Sequence, residues 1–165
     1  VVQRLLNADG NLRLIHAPFQ LKEMLQRAVG LHQPRARAAE VQLLLTLPEF
    51  PVQVRGDAAL LRRAVENLIQ NAIAVLDEKG GSQVHLGLVA EGDQLLIAVE
   101  DDGPGVPLDL REQIFAAGFS ARQGGSGLGL SVARRVVHGH GGQLEIDESP
   151  MGGARFLITL PGAPQ

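Results

Sequence analysis

Two asparagines spaced four residues apart, Asn67 and Asn71, lie in the segment ENLIQNA at 66–72. Residues at this spacing share one face of a helix, and asparagine is a mediocre helix former, so the pair invites an explanation. An amide oxygen is a hard neutral ligand that suits Mg²⁺, which takes one or two protein oxygens and completes its shell with phosphates and water. Taken in isolation, such a pair is more often two solvated amides on a helix surface.

A carboxylate pair, Asp101-Asp102, ends an apolar stretch and leads into a turn that contains Gly103, Pro104 and Gly105. A carboxylate only accepts hydrogen bonds, so it could take one from the exocyclic amine of adenine while the glycines let a ring approach the backbone. An ordinary Asp-Gly turn uses the same residues. A calcium loop is not indicated, because the sequence lacks the alternating acidic pattern of an EF-hand.

A glycine-rich loop, GGSGLGL at 124–130, runs directly into a helix-like stretch. Glycines let backbone N–H groups approach an anion, and the start of a helix adds a favourable dipole, so the loop predicts a phosphate cradle. It lacks the Gly-Lys-Ser/Thr triplet of a Walker A loop, and no convincing strand precedes it as a dinucleotide site requires. The candidate residues of the loop are Gly125, Ser126, Gly127, Leu128 and Gly129.

The composition limits the classes of protein to which the chain can belong. With 165 residues it fits one domain with an ordinary core, and without cysteine it has neither disulfides nor thiolate metal sites. The net charge of −3 and the scattered arginines form no basic stripe, and no Trp or Tyr offers a stacking platform, so nucleic acid is not expected as a partner. No apolar run approaches the roughly 20 residues that span a bilayer.

The residue pattern places these motifs on a small number of elements. The clearest is a helix with Asp57 as its N-cap and Gly80-Gly81 at its end, and its apolar stripe is formed by Leu61, Val65, Leu68, Ala72 and Leu76. An earlier helix is predicted from Phe19 to Ala38, with a kink or break at Pro34. Its apolar stripe is formed by Leu21, Met24, Leu25, Ala28 and Leu31.

Strands are predicted at 41–47, 52–54, 83–90, 94–101, 143–147 and 154–160, a short helix at 108–115 and a third helix after the glycine loop. His138 and His140 end that third helix, where a cationic side chain is mildly stabilising. Because the helices alternate with antiparallel hairpins rather than with single strands, the pattern predicts an α+β fold built as a two-layer sandwich.

In their order and spacing, these motifs resemble the catalytic ATP-binding domain of sensor histidine kinases. The landmarks are the asparagine helix, the Asp-Asp-Gly-Pro-Gly turn, the segment IFAAGF at 114–119, the glycine loop, the triplet HGG at 140–142 and a closing hairpin that ends at Pro161. The resemblance covers roughly Phe19 to Pro161. It implies the Bergerat fold of the GHKL group, shared with gyrase, Hsp90 and MutL ATPases, in which helices cover one face of a mixed sheet and ATP lies between a helix and a lid.

The resemblance also implies a role for each candidate residue. Asn71 matches the magnesium-binding Asn of the family, and Asn67 matches the polar residue one turn earlier in the catalytic set. Asp101 matches the Asp that binds the adenine amine, with Gly103 and Gly105 in the turn beneath it. The remaining matches are the lid anchors and the residues beside the phosphates, namely Phe115, Phe119, Gly125, Ser126, Gly127, Leu128 and Gly129.

Several positions depart from the pattern of the family. Ala74 and Val75 stand where many relatives carry a basic and an aromatic residue, and Ala121 replaces a hydroxyl residue of short lids. Arg122 keeps the positive charge that often follows, so it joins the catalytic candidates. None of the five histidines precedes an acidic residue, as the phosphoacceptor of the family does. The chain is therefore expected to be the ATP-binding part only.

The resemblance implies a kinase domain that uses ATP and Mg²⁺ to phosphorylate a histidine on a separate dimerisation domain, with a response regulator downstream. ATP-hydrolysing relatives place a Glu four residues before the metal Asn, where this chain has Asn67, which favours phosphotransfer over hydrolysis. A module that senses the nucleotide without turnover is the third alternative. The expected division is a linker or remnant of the dimerisation helix at 1–18, the catalytic domain at 19–161 and a tail at 162–165. The piece is expected to be monomeric and cytoplasmic, without membrane contact of its own, in a parent that can be membrane-anchored.

Overall fold

A five-stranded mixed sheet forms one layer of the fold in the computed structural model, which describes residues 13–116 and 129–162. The strands in chain order are β1 (Ala17–Gln20), β2 (Gln42–Thr46), β3 (Gln53–Gly56), β4 (Gln83–Glu91), β5 (Gln94–Asp101), β6 (Gln143–Glu148) and β7 (Ala154–Pro161). The large sheet has the spatial order β2-β4-β5-β7-β6. Strand β2 runs parallel to β4, and the other three pairings are antiparallel. Strands β1 and β3 pair separately.

In the part of the chain that the structure describes, the second layer consists of three helices, α1 (Leu21–Ala38), α2 (Ala58–Lys79) and α3 (Gly129–Gly139). Helix α1 contacts β2, α2 contacts β4 and β5, and α3 contacts β6. Alternate residues of the strands face these helices, as in β4, where Val84, Leu86 and Leu88 are buried. The intervening residues of each strand, such as His85 on β4 and Leu157 on β7, lie on the other side of the sheet, which we call the outer face. The predicted two-layer α+β sandwich is confirmed.

Helix α2 is the central element of the helical layer. It contacts both α1 and α3 as well as the sheet. Asp57 caps it as predicted, because its Oδ1 accepts a hydrogen bond from the N–H of Leu60 (3.1 Å). Gly80 ends it with φ at +98°, a conformation that glycine adopts without strain. The predicted stripe Leu61, Val65, Leu68, Ala72 and Leu76 is buried to at most 3% exposure.

The start of α1 differs from the prediction. Phe19 belongs to β1, where it pairs with Val54, and the helix begins at Leu21, whose N–H donates to the carbonyl of Val52 (2.8 Å). Pairing with β3 keeps residues 17–20 extended, and this tertiary contact overrides the helical pattern.

The apolar stripe and the proline of α1 also differ from the prediction. Leu31 is 59% exposed, because the buried face continues from Ala28 to His32, four residues later. The expected break at Pro34 is absent, since the helix continues to Ala38 with Ala36 fully buried beyond the proline. The predicted short helix at 108–115 is two separate 3-10 turns, Leu108–Leu110 and Gln113–Phe115. No helix in residues 13–116 and 129–162 has both the length and the apolar character that crossing a membrane requires.

His140 connects the end of α3 to the start of α2. Its Nδ1–H donates to the carbonyl of Val136 (2.7 Å), and its Nε2 accepts a hydrogen bond from the N–H of Asp57 (2.9 Å). Asp57 Oδ2 in turn accepts a hydrogen bond from the N–H of Ile15 (3.0 Å). A ring nitrogen that accepts from an N–H carries no proton, so this network assigns the neutral tautomer to His140. The expectation of a cationic helix end was wrong for His140, which acts as a connector.

Replacing His140 by alanine should lower the free energy of unfolding by about 1–3 kcal/mol, because the N–H of Asp57 would lose its partner at a largely buried site. His138→Ala is the matched control, since His138 is an exposed histidine two residues earlier. It should change stability by less than about 0.5 kcal/mol. Urea unfolding followed by circular dichroism measures both variants, and equal effects would contradict the connector role.

Candidate functional site

Asp101 is a buried carboxylate at the end of β5. Its residue is 4% exposed, and its Oδ1 accepts hydrogen bonds from the N–H groups of Gly103 (2.9 Å) and Ala154 (3.2 Å). Within the described residues no group donates to Oδ2. The carboxylate is therefore held by the following turn and by the start of β7, and one oxygen is left to accept a hydrogen bond from a ligand.

Glycines surround this carboxylate because no side chain fits there. A Cβ at Gly153 would overlap Asp101 Oδ1, and a Cβ at Gly103 would lie 2.7 Å from Leu76 Cδ2 and 3.1 Å from Asp101 Oδ1. Gly105 has φ at +74°, a backbone conformation that is strained for a residue with a side chain. The glycines of the turn, predicted from the sequence, thus allow the backbone to pack closely around the acceptor. Gly153 was not predicted as a site residue, although the Gly152-Gly153 pair of the closing hairpin was visible.

The two adjacent carboxylates have opposite environments. Burial raises the pKa of Asp101, with the charge of Asp102 adding to this effect, although the hydrogen bonds from Gly103 and Ala154 oppose it. For Asp102, partial burial raises the pKa, but hydrogen bonds from the N–H of Gln83 and from the hydroxyl and N–H of Ser82 outweigh it, so the pKa is lowered. Asp102 holds the start of β4, whereas Asp101 is the carboxylate available to a ligand.

Asn67 lies on the part of α2 that faces α3. The amide Nδ2 of Asn67 donates to the carbonyl of Gly129, the first residue of α3, at 3.2 Å. The Cβ position at Gly129 would be 3.7 Å from Asn67 Cγ, so the helix starts in close contact with this side chain. Asn71 is partly buried one turn further along α2. The two asparagines are thus not equivalent, because Asn67 fixes the end of the glycine loop.

Helix α2 sets the order of the site residues along its axis. Leu76 lies against Gly103 in the turn after Asp101, and Asn67 contacts Gly129. At about 1.5 Å of rise per residue, these two points are separated by about 13 Å along the helix axis, with the position of Asn71 between them. The arrangement thus places a carboxylate acceptor at one end, an amide in the middle and a helix N-terminus at the other end.

Phe115 anchors the chain before the loop. It is 6% exposed, meets the ring of Phe156 edge to face at 6.2 Å, and carries the guanidinium of Arg134 4.5 Å above its centroid. Arg134 belongs to α3 and also pairs with Glu112 (3.2 Å), so α3, which follows the loop, is tied to the segment that precedes it. The other predicted lid and loop residues lie outside the described residues, and they are Phe119, Arg122, Gly125, Ser126, Gly127 and Leu128.

A family model described as histidine kinase-, DNA gyrase B- and HSP90-like ATPase matches residues 56–164. The alginate biosynthesis sensor protein KinB of Pseudomonas aeruginosa is 34% identical over 154 residues, which are 92% of this chain and 26% of KinB. The chain thus spans about a quarter of the length of that relative.

Solved structures give the same result. The catalytic domain of the histidine kinase ThkA superposes with a TM-score of 0.81 at 25% identity, and the match covers 90% of this chain and 96% of that domain. Full-length ShkA in complex with AMPPNP also has a TM-score of 0.81, at 28% identity, over 93% of this chain and 32% of ShkA. The chain therefore belongs to the histidine kinase-, DNA gyrase B- and HSP90-like ATPase family and is the catalytic ATP-binding domain of a two-component sensor histidine kinase.

Proposed function

We propose that this domain binds Mg-ATP along α2 and transfers the γ-phosphoryl group to a histidine on a separate dimerisation domain. The observation that carries the proposal is the order, along the axis of α2, of a buried acceptor, an amide and the start of α3. Each of these groups suits a different part of the nucleotide, and their order follows the order of base, metal-bound phosphates and terminal phosphate.

Asp101 is suited to the adenine end. A purine amine that donates to Asp101 Oδ2 would supply the one partner that the described residues do not provide. The same hydrogen bond would offset part of the cost of burying the charge. Gly103 and Gly153, which pack closely against Oδ1 of this carboxylate, carry no side chain that could compete for that position.

The phosphate end is formed by Asn71, Asn67 and the start of α3. The amide oxygen of Asn71 would bind Mg²⁺ as one of its few protein ligands, and the ion when bound neutralises phosphate charge. The eleven-residue helix α3 presents its N-terminus to an anion, and Asn67 holds it there through Gly129. Gly125, Gly127, Arg122 and their neighbours would complete the phosphate contacts.

Transfer rather than hydrolysis is supported by the charges on α2. Asn67 is a neutral amide that donates to Gly129, so it does not activate water as a carboxylate would. The neighbouring Glu66 forms an ion pair with Arg62 one turn earlier, at 3.2 Å. Within the described part of α2, no free carboxylate therefore takes the place of a general base beside Asn71.

The share of the relatives that the chain represents supports a proposal for the assembly. We propose that residues 19–161 are the catalytic domain, that residues 1–18 lead to the dimerisation domain, and that residues 162–165 are a tail. The partners are the histidine of that dimerisation domain and a response regulator downstream. The domain is proposed to be monomeric. It is also proposed to work on the cytoplasmic side, because a parent kinase needs ATP there.

The Asp101→Asn variant tests separately how the buried charge of Asp101 affects folding stability and how it affects nucleotide binding. The raised pKa of Asp101 means that the ionised form costs folding free energy at pH values above that pKa. The nucleotide-free variant should therefore be at least as stable as the wild type near neutral pH, while its affinity for a non-hydrolysable ATP analogue falls at least about tenfold. Wild-type affinity should also fall as the pH drops through the raised pKa. Thermal unfolding and calorimetry measure these effects.

The adjacent Asp102→Asn is the matched control. Because the pKa of Asp102 is lowered in the folded state, its ionised form contributes stability above the pKa of the unfolded chain. The variant should lose stability near neutral pH and lose less nucleotide affinity than Asp101→Asn. The site assignment would be wrong if the two variants behaved alike.

Asn71→Ala should remove most of the magnesium dependence of nucleotide binding. The expected loss of affinity is at least about tenfold with Mg²⁺ and much smaller in EDTA, because only the metal ligand is deleted. Glu78→Gln, an exposed change on the same helix, serves as the control. Equal losses with and without the metal would contradict the assignment of Asn71.

The function itself is tested by mixing the domain with the dimerisation domain of its parent and γ-labelled ATP. Acid-labile phosphohistidine on the partner is expected, and Asn71→Ala should abolish it. Free phosphate without phosphoprotein would identify an ATPase instead. Nucleotide binding without either product would identify a sensing module.

A further inference from the structure

A band of polar side chains crosses the outer face of the sheet, with one residue from every strand. The band consists of Thr46 on β2, His85 on β4, Glu100 on β5, Arg155 on β7 and Asp147 on β6. The strand register places His85 opposite Glu100, Glu100 opposite Arg155, and Arg155 opposite Asp147. Cross-strand neighbours of opposite charge stabilise a sheet, and here Glu100, Arg155 and Asp147 alternate in charge over three strands.

The strongest contact of the band joins β7 to β6. Arg155 donates from Nε to Asp147 Oδ1 (2.7 Å) and from a terminal nitrogen to Oδ2 (2.6 Å), which makes a bidentate pair. Arg155 lies 3.9 Å from Glu100, which lies 3.9 Å from His85. His85 and Thr46 share a hydrogen bond of 2.7 Å. Single surface ion pairs contribute little, but a bidentate pair within a network is the exception.

The band crosses the sheet at the end of β5 and the start of β7, the two strand ends that hold the candidate adenine acceptor, Asp101. Glu100 immediately precedes Asp101 on β5, and Arg155 immediately follows Ala154, whose N–H donates to Asp101. Successive residues of a strand point to opposite faces, so the band lies directly behind the Asp101 site. Fixing the Arg155 side chain on one face therefore fixes the adjoining backbone of Ala154, whose N–H donates to Asp101.

The position of the band matters because the groups around Asp101 are tightly packed. Gly153 packs so closely on Asp101 that a Cβ there would overlap the carboxylate, and the Ala154 hydrogen bond is already 3.2 Å long. A small shift of β7 relative to β5 would lengthen that bond or turn the carboxylate. The Asp147 carboxylate, whose pKa is lowered by hydrogen bonding to Arg155, stays charged at neutral pH and keeps the pair intact.

We propose that the Arg155–Asp147 pair, together with Glu100, positions Asp101 for recognition of the 6-amino group of the nucleotide base. Arg155 and Asp147 are positioning residues that act through the backbone of Ala154 and do not touch the ligand. This inference rests on the proposed function, in which Asp101 binds adenine.

The test compares affinity for the magnesium complexes of ATP and inosine triphosphate, which has a carbonyl in place of the 6-amino group. Calorimetry on Arg155→Gln and on the milder Asp147→Asn should show the ratio of the two dissociation constants moving at least threefold towards one. Arg155→Lys keeps the charge but not the bidentate geometry, and it should retain more of the preference for ATP over inosine triphosphate than Arg155→Gln does. Glu145→Gln, an exposed change on β6 outside the band, should leave the ratio unchanged.

Two outcomes would overturn the inference. One is an unchanged ratio in both Arg155→Gln and Asp147→Asn, and the other is an equal loss of affinity for the two nucleotides, which a merely structural role predicts. Asp101→Asn distinguishes this failure from failure of the proposed function. If Asp101→Asn leaves the ratio unchanged, Asp101 does not read the base; if it collapses the ratio while the band variants do not, only the role of the band is wrong.

Discussion

The packing of α2 between the sheet and the other two helices is the interaction on which the site depends. Its apolar stripe is almost fully buried, and its remaining edge carries Asn67 and Asn71. Because a helix is stiff, burial of that stripe fixes the direction and spacing of every polar group on the edge. The turn after β5 then meets the helix at Leu76, and α3 meets it at Asn67.

The second constraint is the burial of a charge without a full set of partners. One oxygen of Asp101 stays free to accept a hydrogen bond. Burial disfavours the charged form of this carboxylate, and its raised pKa reflects that cost. Its neighbour Asp102 has the reverse character, with three hydrogen bonds and a lowered pKa. Two identical side chains in sequence thus have different energetics, because β-strand alternation and the turn direct one to the interior and the other to the start of β4. Functional sites often retain such unfavourable groups while the surrounding packing supplies stability.

The sequence predicted what is encoded locally. The stripe and caps of α2, the strand hairpins and the glycine turn all follow from spacing within a single element. It did not predict contacts between distant elements. The start of α1 is set by pairing with β3, the buried residue one turn after Ala28 is His32 rather than Leu31, and the partner of His140 is 83 residues away. Nothing in residues 138–142 distinguishes a connecting histidine from an exposed one, because the distinction lies in the N–H of Asp57.

The position of β6 at the edge of the sheet has a consequence for association between copies. An exposed edge offers unpaired backbone groups to any second strand, and long apolar edges therefore aggregate. Strand β6 carries Glu145, Asp147 and Glu148 within its six residues, while the opposite edge, β2, has only five residues. Antiparallel pairing of two β6 strands would bring carboxylates of both copies together, and like charges opposite one another destabilise a ladder. The acidic edge thus opposes growth of the sheet from one molecule into the next.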